Sequence, residues 1–263
     1  MFKHSDRSLL LSLAALCVAL CVALCGAWYI AGRGEGKPAH YALDDGARRV
    51  SRVPGQFDIH LPLFGSRAVV LSFDDGPSNP EIDRAILETL RKHAAHGIWF
   101  INCRNLDPGM HPRYRENRQV LQEILRQGHQ IGNHGYNHLN LVELEKRDPD
   151  KLRAEIVDCN SLLRELTGKA PELFRPPWGQ YSPGVTQILQ EQHMKNTLWG
   201  ITSIDTGTNT SSAMADTLDR YWDAMRPEDG DIILFHDSAA TMARLDRLLT
   251  RFDSEGYTYV LPD

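Results

Sequence analysis

Two carboxylates stand side by side in the run Ser72-Phe73-Asp74-Asp75-Gly76-Pro77. Consecutive side chains diverge at the end of a strand, so one acid can hold a metal while the other faces a substrate. Carboxylates beside Gly and Pro also make ordinary turns and cap helices. Further on, His134-Gly135-Tyr136-Asn137-His138 sets two imidazoles four residues apart, a spacing suited to shared coordination on a helical turn or in a tight loop. Two surface histidines near a turn would look the same. Set beside a carboxylate, however, two His complete a common ligand set for a catalytic divalent ion with positions left open for water and substrate. Zinc is the first choice for such a set, with cobalt, nickel and iron also compatible, because geometry and supply decide among them.

Three more segments carry usable chemistry. Arg175-Pro176-Pro177-Trp178-Gly179 is a stiff loop in which two prolines fix φ and Arg175 offers a planar fork for a carboxylate. It is either a buried strut or the group that orients a catalytic Asp and lowers its pKa. Asp231-Ile232-Ile233-Leu234-Phe235-His236-Asp237 delivers a histidine at the end of an apolar run, and Asp205 follows an earlier run.

These residues need a scaffold that brings them together. Seven apolar runs read as strands: 68–73, 97–101, 130–133, 173–174, 196–200, 231–235 and 257–260. Helical patterns lie between them at 80–92, 115–127, 150–166, 183–192, 212–225 and 241–253. Such alternation predicts an α/β domain with a mainly parallel sheet, open or closed. The polar clusters follow five different strands. A parallel barrel gathers strand C-termini on one face, whereas an open sheet has its site mainly at one switch point, so a barrel is predicted. Residues 104–119, with His111, Arg113, Tyr114 and Arg115, read as a solvated loop or as a shaper of substrate choice.

Leu9–Ala31 is a run of 23 residues without a formal charge, preceded by Lys3 and Arg7. A helix of that length crosses a hydrocarbon core about 30 Å thick, with the basic flank on the cytoplasmic side. Residues 1–31 are thus expected to be a single-pass membrane anchor, 32–52 a linker and 53–263 a catalytic domain outside the cytoplasm. The alternative is a secreted protein released by cleavage near Cys25-Gly26-Ala27. Three of the five cysteines lie in the apolar run, and whether Cys103 and Cys159 pair is open. The net charge is -5 and no basic run stands out, which argues against nucleic-acid binding. No protein partner is legible.

Taken in order, Ser72–Pro77, His134–His138, Arg175–Gly179, Asp205 and Ile232–Asp237 resemble the motifs of the polysaccharide deacetylases of the NodB-homology type, carbohydrate esterase family four. The resemblance implies a deformed (β/α)7 barrel, similar to a TIM barrel, and one divalent metal ion. It implies metal ligation by Asp75, His134 and His138, with Asp74 as general base and His236 as general acid. Arg175 would orient Asp74, and Asp205 would orient His236. The backbone N–H of Trp178 would help hold the oxyanion, and Leu234 would line the acetyl pocket. Gly135 stands where the family usually has Ser or Thr, Trp178 where Tyr is common, and Thr208-Asn209 where an Asp-Trp pair is usual. The implied activity is N-deacetylation of an N-acetylhexosamine polymer such as peptidoglycan or poly-N-acetylglucosamine. Alternatives are O-deacetylation or deformylation of another glycan or lipid-linked sugar, and non-catalytic carbohydrate binding.

Overall fold

The computed structural model of the protein describes residues 67–206 and 212–262. The expected anchor 1–31, the linker 32–52 and the start of the catalytic domain at residue 53 lie outside the described residues. Among the latter, no helix is long and apolar enough to cross a membrane.

Among the described residues, eight parallel strands form one sheet: β1 (Ala68–Asp74), β2 (Gly97–Ile101), β3 (Gln130–Asn133), β4 (Leu173–Phe174), β5 (Lys195–Asn196), β6 (Ile201–Thr202), β7 (Asp231–His236) and β8 (Thr258–Tyr259). Their order is β5-β4-β3-β2-β1-β7-β6. β8 pairs with the first two residues of β1, while β2 pairs with the later ones from Leu71 onward. Among the described residues, seven helices cover the strands: α1 (Pro80–Lys92), α2 (Tyr114–Arg126), α3 (Leu141–Arg147), α4 (Pro149–Thr167), α5 (Pro183–Glu191), α6 (Ser212–Ala224) and α7 (Ala239–Ser254). β5 and β6 do not pair among the described residues, so the sheet is a half-barrel.

Alternation along the strands decides which side chains reach the inside of the curve. In β1, Val69, Leu71 and Phe73 pack outward into the main core beneath the helices, with Trp99 of β2 and Phe235 of β7. Val70 joins Ile98, Phe100, Leu173 and Ile232 in a separate apolar plug inside the half-barrel. The period of two then sends Ser72 and Asp74 of β1, and Leu234 and His236 of β7, to the inner side above that plug. Gly132 of β3 is needed there, because a Cβ at that position would run into the Phe100 ring.

Three expectations require correction, and the closed barrel is the first, since the sheet stops at a half-barrel. The fifth apolar run, 196–200, is not one strand but the seam between β5 and β6. The reason is hydrogen bonding: Arg175 takes the carbonyls of Thr197 and Leu198, at 2.9 and 3.2 Å, that a continued strand would offer to a neighbour. The seven expected strands thus become eight. Residues 104–119 are a solvated loop only in part: 107–113 form an exposed to half-buried loop between the 3₁₀ turn at Cys103–Leu106 and the first turns of α2. Asn105, Leu106 and Asn117 in this stretch are buried.

Candidate metal and acid-base site

β1 ends on Asp74, and the chain turns sharply at Asp75, whose φ of 75° lies in the left-handed region. The turn separates the two carboxylates. Asp74 stays buried inside the half-barrel and Asp75 reaches the mouth, 38% exposed. The Asp75 carbonyl accepts the Asn105 side-chain amide at 2.6 Å, which holds this uncommon conformation.

The two imidazoles come from the loop after β3. His134 follows Asn133 directly, and its Nδ1 lies 2.7 Å from the Arg175 carbonyl. An N–H must donate there, so Nε2 is left as a lone-pair acceptor. Burial pushes the His134 pKa down to about 3 against the pull of Asp75, which keeps the ring neutral. His138 has φ 59° and its ring meets that of Trp178 at 4.5 Å. Glu155 of α4, almost fully buried, accepts both the Asn137 amide N–H at 2.8 Å and its side-chain amide at 2.5 Å. Asn133 accepts the Gly135 N–H at 2.8 Å, and Gly135 and Tyr136 in turn accept the amides of Cys103 and Arg104. Cys103 and Cys159 are disulfide-bonded, so the 3₁₀ turn and α4, which brace this loop from two sides, are covalently joined.

Asp75 Oδ1 lies 3.6 Å from His134 Nε2 and 3.4 Å from His138 Nε2. One ligand atom from each of the three residues falls within 4.8 Å of the others. Two atoms each about 2.1 Å from one ion at the tetrahedral angle stand ~3.4 Å apart, so the spacing suits zinc-like coordination. Among the described residues Asp75 Oδ1 is also buried with no hydrogen-bond partner, an uncompensated acceptor that a cation would satisfy. The three residues thus fit a divalent metal.

Asp74 sits beside this cluster, with its Oδ2 3.7 Å from His134 Nε2. Its Oδ1 accepts a 2.7 Å hydrogen bond from Arg175 Nη1, and neither side chain is more than 3% exposed. Burial pushes the Asp74 pKa up, and Arg175, His236 and His138 oppose that rise. Arg175 also donates to Ser72 Oγ at 2.9 Å and lies over the Phe100 ring at 4.0 Å, so it is both a strut and the partner of Asp74.

On the other side, β7 ends on His236, paired in register with Asp74. Asp205 receives the His236 backbone N–H and its Nδ1–H, both at 2.7 Å, and the Thr241 hydroxyl. Burial works against the imidazolium, but the hydrogen bond to Asp205 and the charges of Asp205, Asp74 and Asp75 prevail and raise the His236 pKa to about 9. Asp205 itself is held below the usual carboxylate range, burial being outweighed by His236, Ser203 and Thr241. Trp178, at φ 55°, is 54% exposed at the rim. Leu234 is buried on the inner side of β7, two residues below His236. Thr208 and Asn209 lie outside the described residues.

All nine residues singled out from the sequence are accounted for here, and Asp74, Asp75, His134, His138, Arg175, Asp205 and His236 converge. Sequence reasoning missed Asn105, Glu155 and Thr241, which hold the loops. Only long-range side-chain contacts reveal them, and no local pattern marks them.

Solved structures of known proteins share this α/β half-barrel of parallel strands. The sequence profile of the polysaccharide deacetylase family matches residues 64–197, and the chain belongs to this family. Peptidoglycan-N-acetylmuramic acid deacetylase PdaC of Bacillus subtilis (strain 168) is 28% identical over 196 residues, 74% of this chain but 38% of that protein. A peptidoglycan-N-acetylglucosamine deacetylase of Bacillus cereus is 25% identical over 203 residues, 75% of this chain and 67% of the relative. The chain therefore spans well under half the length of the first relative and about two thirds of the second. The crystal structure of the polysaccharide deacetylase Bc1974 from Bacillus cereus matches with a TM-score of 0.61 at 25% identity, covering 75% of this chain and 92% of that one.

Proposed function

We propose that the protein is a metal-dependent hydrolase that removes N-acetyl groups from N-acetylhexosamine residues of a polysaccharide, peptidoglycan being the first candidate. The observation that carries this reading is the buried Asp75 Oδ1, without a hydrogen-bond partner among the described residues, facing two imidazole nitrogens next to a second acid held by Arg175. Family membership and the peptidoglycan deacetylases among its relatives support it.

Asp75, His134 and His138 would hold the ion, zinc by preference. What a divalent ion supplies at such a centre is Lewis acidity, which polarises a carbonyl and makes water more acidic. The chain's own residues then have distinct tasks. Arg175 occupies Oδ1 of Asp74, so Oδ2 takes the proton from the attacking water. The Trp178 backbone N–H contributes to holding the charge that develops on the acetyl oxygen. Asp205 occupies Nδ1 of His236, so Nε2 delivers a proton to the sugar nitrogen and an amine leaves. A histidine with a pKa of about 9 carries that proton at neutral pH. Leu234 lines the space for the acetyl methyl, and Trp178 offers an exposed ring to a sugar face.

We further infer that residues 9–31 anchor the chain and that the domain works outside the cytoplasm. The uncharged run behind Lys3 and Arg7 supports this, as does the Cys103–Cys159 disulfide, because such bonds persist in oxidising compartments. The test of the activity is release of acetate from chitin oligosaccharides and from peptidoglycan by the full chain supplied with zinc. Wild type should release acetate and Asp74→Asn should not. Equal release by both would remove Asp74 from the mechanism, and no release by wild type from any acetylated glycan would sink the assignment.

A further inference from the structure

A second pair of acids lies directly behind the first. Asp83 in α1 is fully buried, and neither of its oxygens has a hydrogen-bond partner of good geometry among the described residues. Its carboxyl lies against that of Asp237, within hydrogen-bonding reach. Asp237 follows His236 at the end of β7, and its Oδ2 accepts the Ser78 amide at 3.0 Å and the Ser78 hydroxyl. The turn between Asp75 and Ser78 rests on the same carboxyl: a Cβ on Gly76 would stand 3.3 Å from it, so the backbone passes with little room to spare. The Asp237 amide also points to the Asp74 carbonyl, at 3.4 Å.

Two ionised carboxylates in buried contact repel and leave oxygen facing oxygen with nothing between them. One proton removes both difficulties. Asp237 already receives two donors from Ser78, and these suit an anion. Asp83 has the Asn79 and Ser78 backbone amides near it but no bond of good geometry from any donor among the described residues, and this suits the acid that keeps the proton. Burial drives the pKa of both groups upward, in agreement with this division.

We propose that Asp83 is a neutral acid whose O–H donates to Asp237, and that the pair is a positioning device locking the Asp74–Ser78 turn against the strand end that bears His236. The contacts close a ring. Ser78 leads into Asn79, whose side chain caps α1 by accepting the Glu81 N–H, and α1 carries Asp83 back to Asp237 and so to Ser78. Asp75 and His236 project from the two arms of that ring. The inference rests on the proposed hydrolytic function for its consequence, though not for its geometry.

The test uses the full chain and two substitutions at one position. Asp83→Asn keeps a donor and cannot ionise, whereas Asp83→Ala removes the donor. Zinc affinity is read by equilibrium dialysis, ligand geometry by the visible spectrum of the cobalt-loaded protein, and acetate release separately as kcat and KM. Removal of a group that orients a metal ligand costs about 10–100-fold in affinity or rate, and that loss is expected for Asp83→Ala, with an altered cobalt spectrum and with the rate loss in kcat and not in KM. Asp83→Asn should restore zinc affinity and spectrum to those of wild type. An Asn variant as impaired as the Ala variant would overturn the proposal, because a negative charge would then be the working feature. An Ala variant that binds zinc like wild type would overturn it as well. If Asp83→Ala fails to fold, Asp83→Asn decides alone, since a charged role requires its loss of affinity and a donor role its retention. Zinc and cobalt are read without substrate, so a protein showing this pattern but releasing no acetate would refute the activity and leave the pair standing.

Discussion

Replacing Asp205 by asparagine separates proton supply from every other part of the proposed mechanism. His236 is raised from an ordinary 6.5 to about 9, burial opposing the charge and the Asp205 hydrogen bond leading the groups that support it. That difference corresponds to roughly 3 kcal/mol of preference for the imidazolium. At pH 7.5 the wild-type ring is therefore about 97% protonated. Without the carboxylate, burial is left as the leading influence and the pKa should fall below 6.5, so that under about 10% of molecules hold the proton at the same pH. A bound dication offsets the charges of Asp74 and Asp75 but leaves the 2.7 Å contact to Asp205, so the comparison of wild type with Asp205→Asn isolates that contact. The assay is kcat for acetate release against pH from 5 to 10 in the zinc-loaded enzyme. An acid must be protonated to act, so activity is lost as pH rises through its pKa. Asp205→Asn is expected to move the alkaline limb down by ~2 pH units or more and to lower kcat at pH 7.5 by at least tenfold. An alkaline limb that stays where it is in wild type would exclude His236, held by Asp205, as the proton donor.

Three further outcomes are expected. Arg175→Met leaves Asp74 buried without its cation and strips the Thr197 and Leu198 carbonyls of their donor, so urea denaturation should show a loss of about 3–5 kcal/mol; a loss below about 1 kcal/mol would show that the pair is dispensable to the fold. Replacing Cys103 and Cys159 together by alanine frees a loop closed across 56 positions, for which chain entropy gives roughly 4 kcal/mol, measured by the same method with an unchanged result as the contradiction. The metal-free protein should lose stability as pH rises: the folded His236 pKa of about 9 exceeds the unfolded 6.5, so its contribution is complete below 6.5 and gone above about 9, and a protein whose stability does not fall across that window would contradict the assigned pKa.

The parts of the fold legible in the sequence are those whose burial writes a pattern. β1, β2 and β7 are covered on both faces and appear as short unbroken apolar runs between helical periodicities. The break between β5 and β6 leaves no such pattern, because Arg175, distant in sequence, diverts the carbonyls of Thr197 and Leu198. α3 was missed because Asp148 both ends it and caps α4, with Pro149 opening the next helix, so two helices follow without a visible interval. In the site, residue type and position at strand ends single out Asp74, Asp75, His134, His138 and His236. Their orientation is another matter. The left-handed backbone at Asp75, His138 and Trp178 has no glycine to announce it, and Asn105, Glu155 and Asp83 act through contacts that only the folded chain creates.

The central claim is that Asp75, His134 and His138 share one ion, and counting and locating that ion tests it most directly. Crystals of the full chain grown with zinc would be measured above and below the zinc absorption edge, and the metal content of the same preparation determined by mass spectrometry. Expected is one zinc per chain, with a single strong anomalous peak between Asp75 Oδ1 and the two Nε2 atoms, and with neither peak nor stoichiometric zinc in His134→Ala. A chain that takes up no divalent ion, or holds it away from these three side chains, would contradict the assignment of a hydrolytic metal centre.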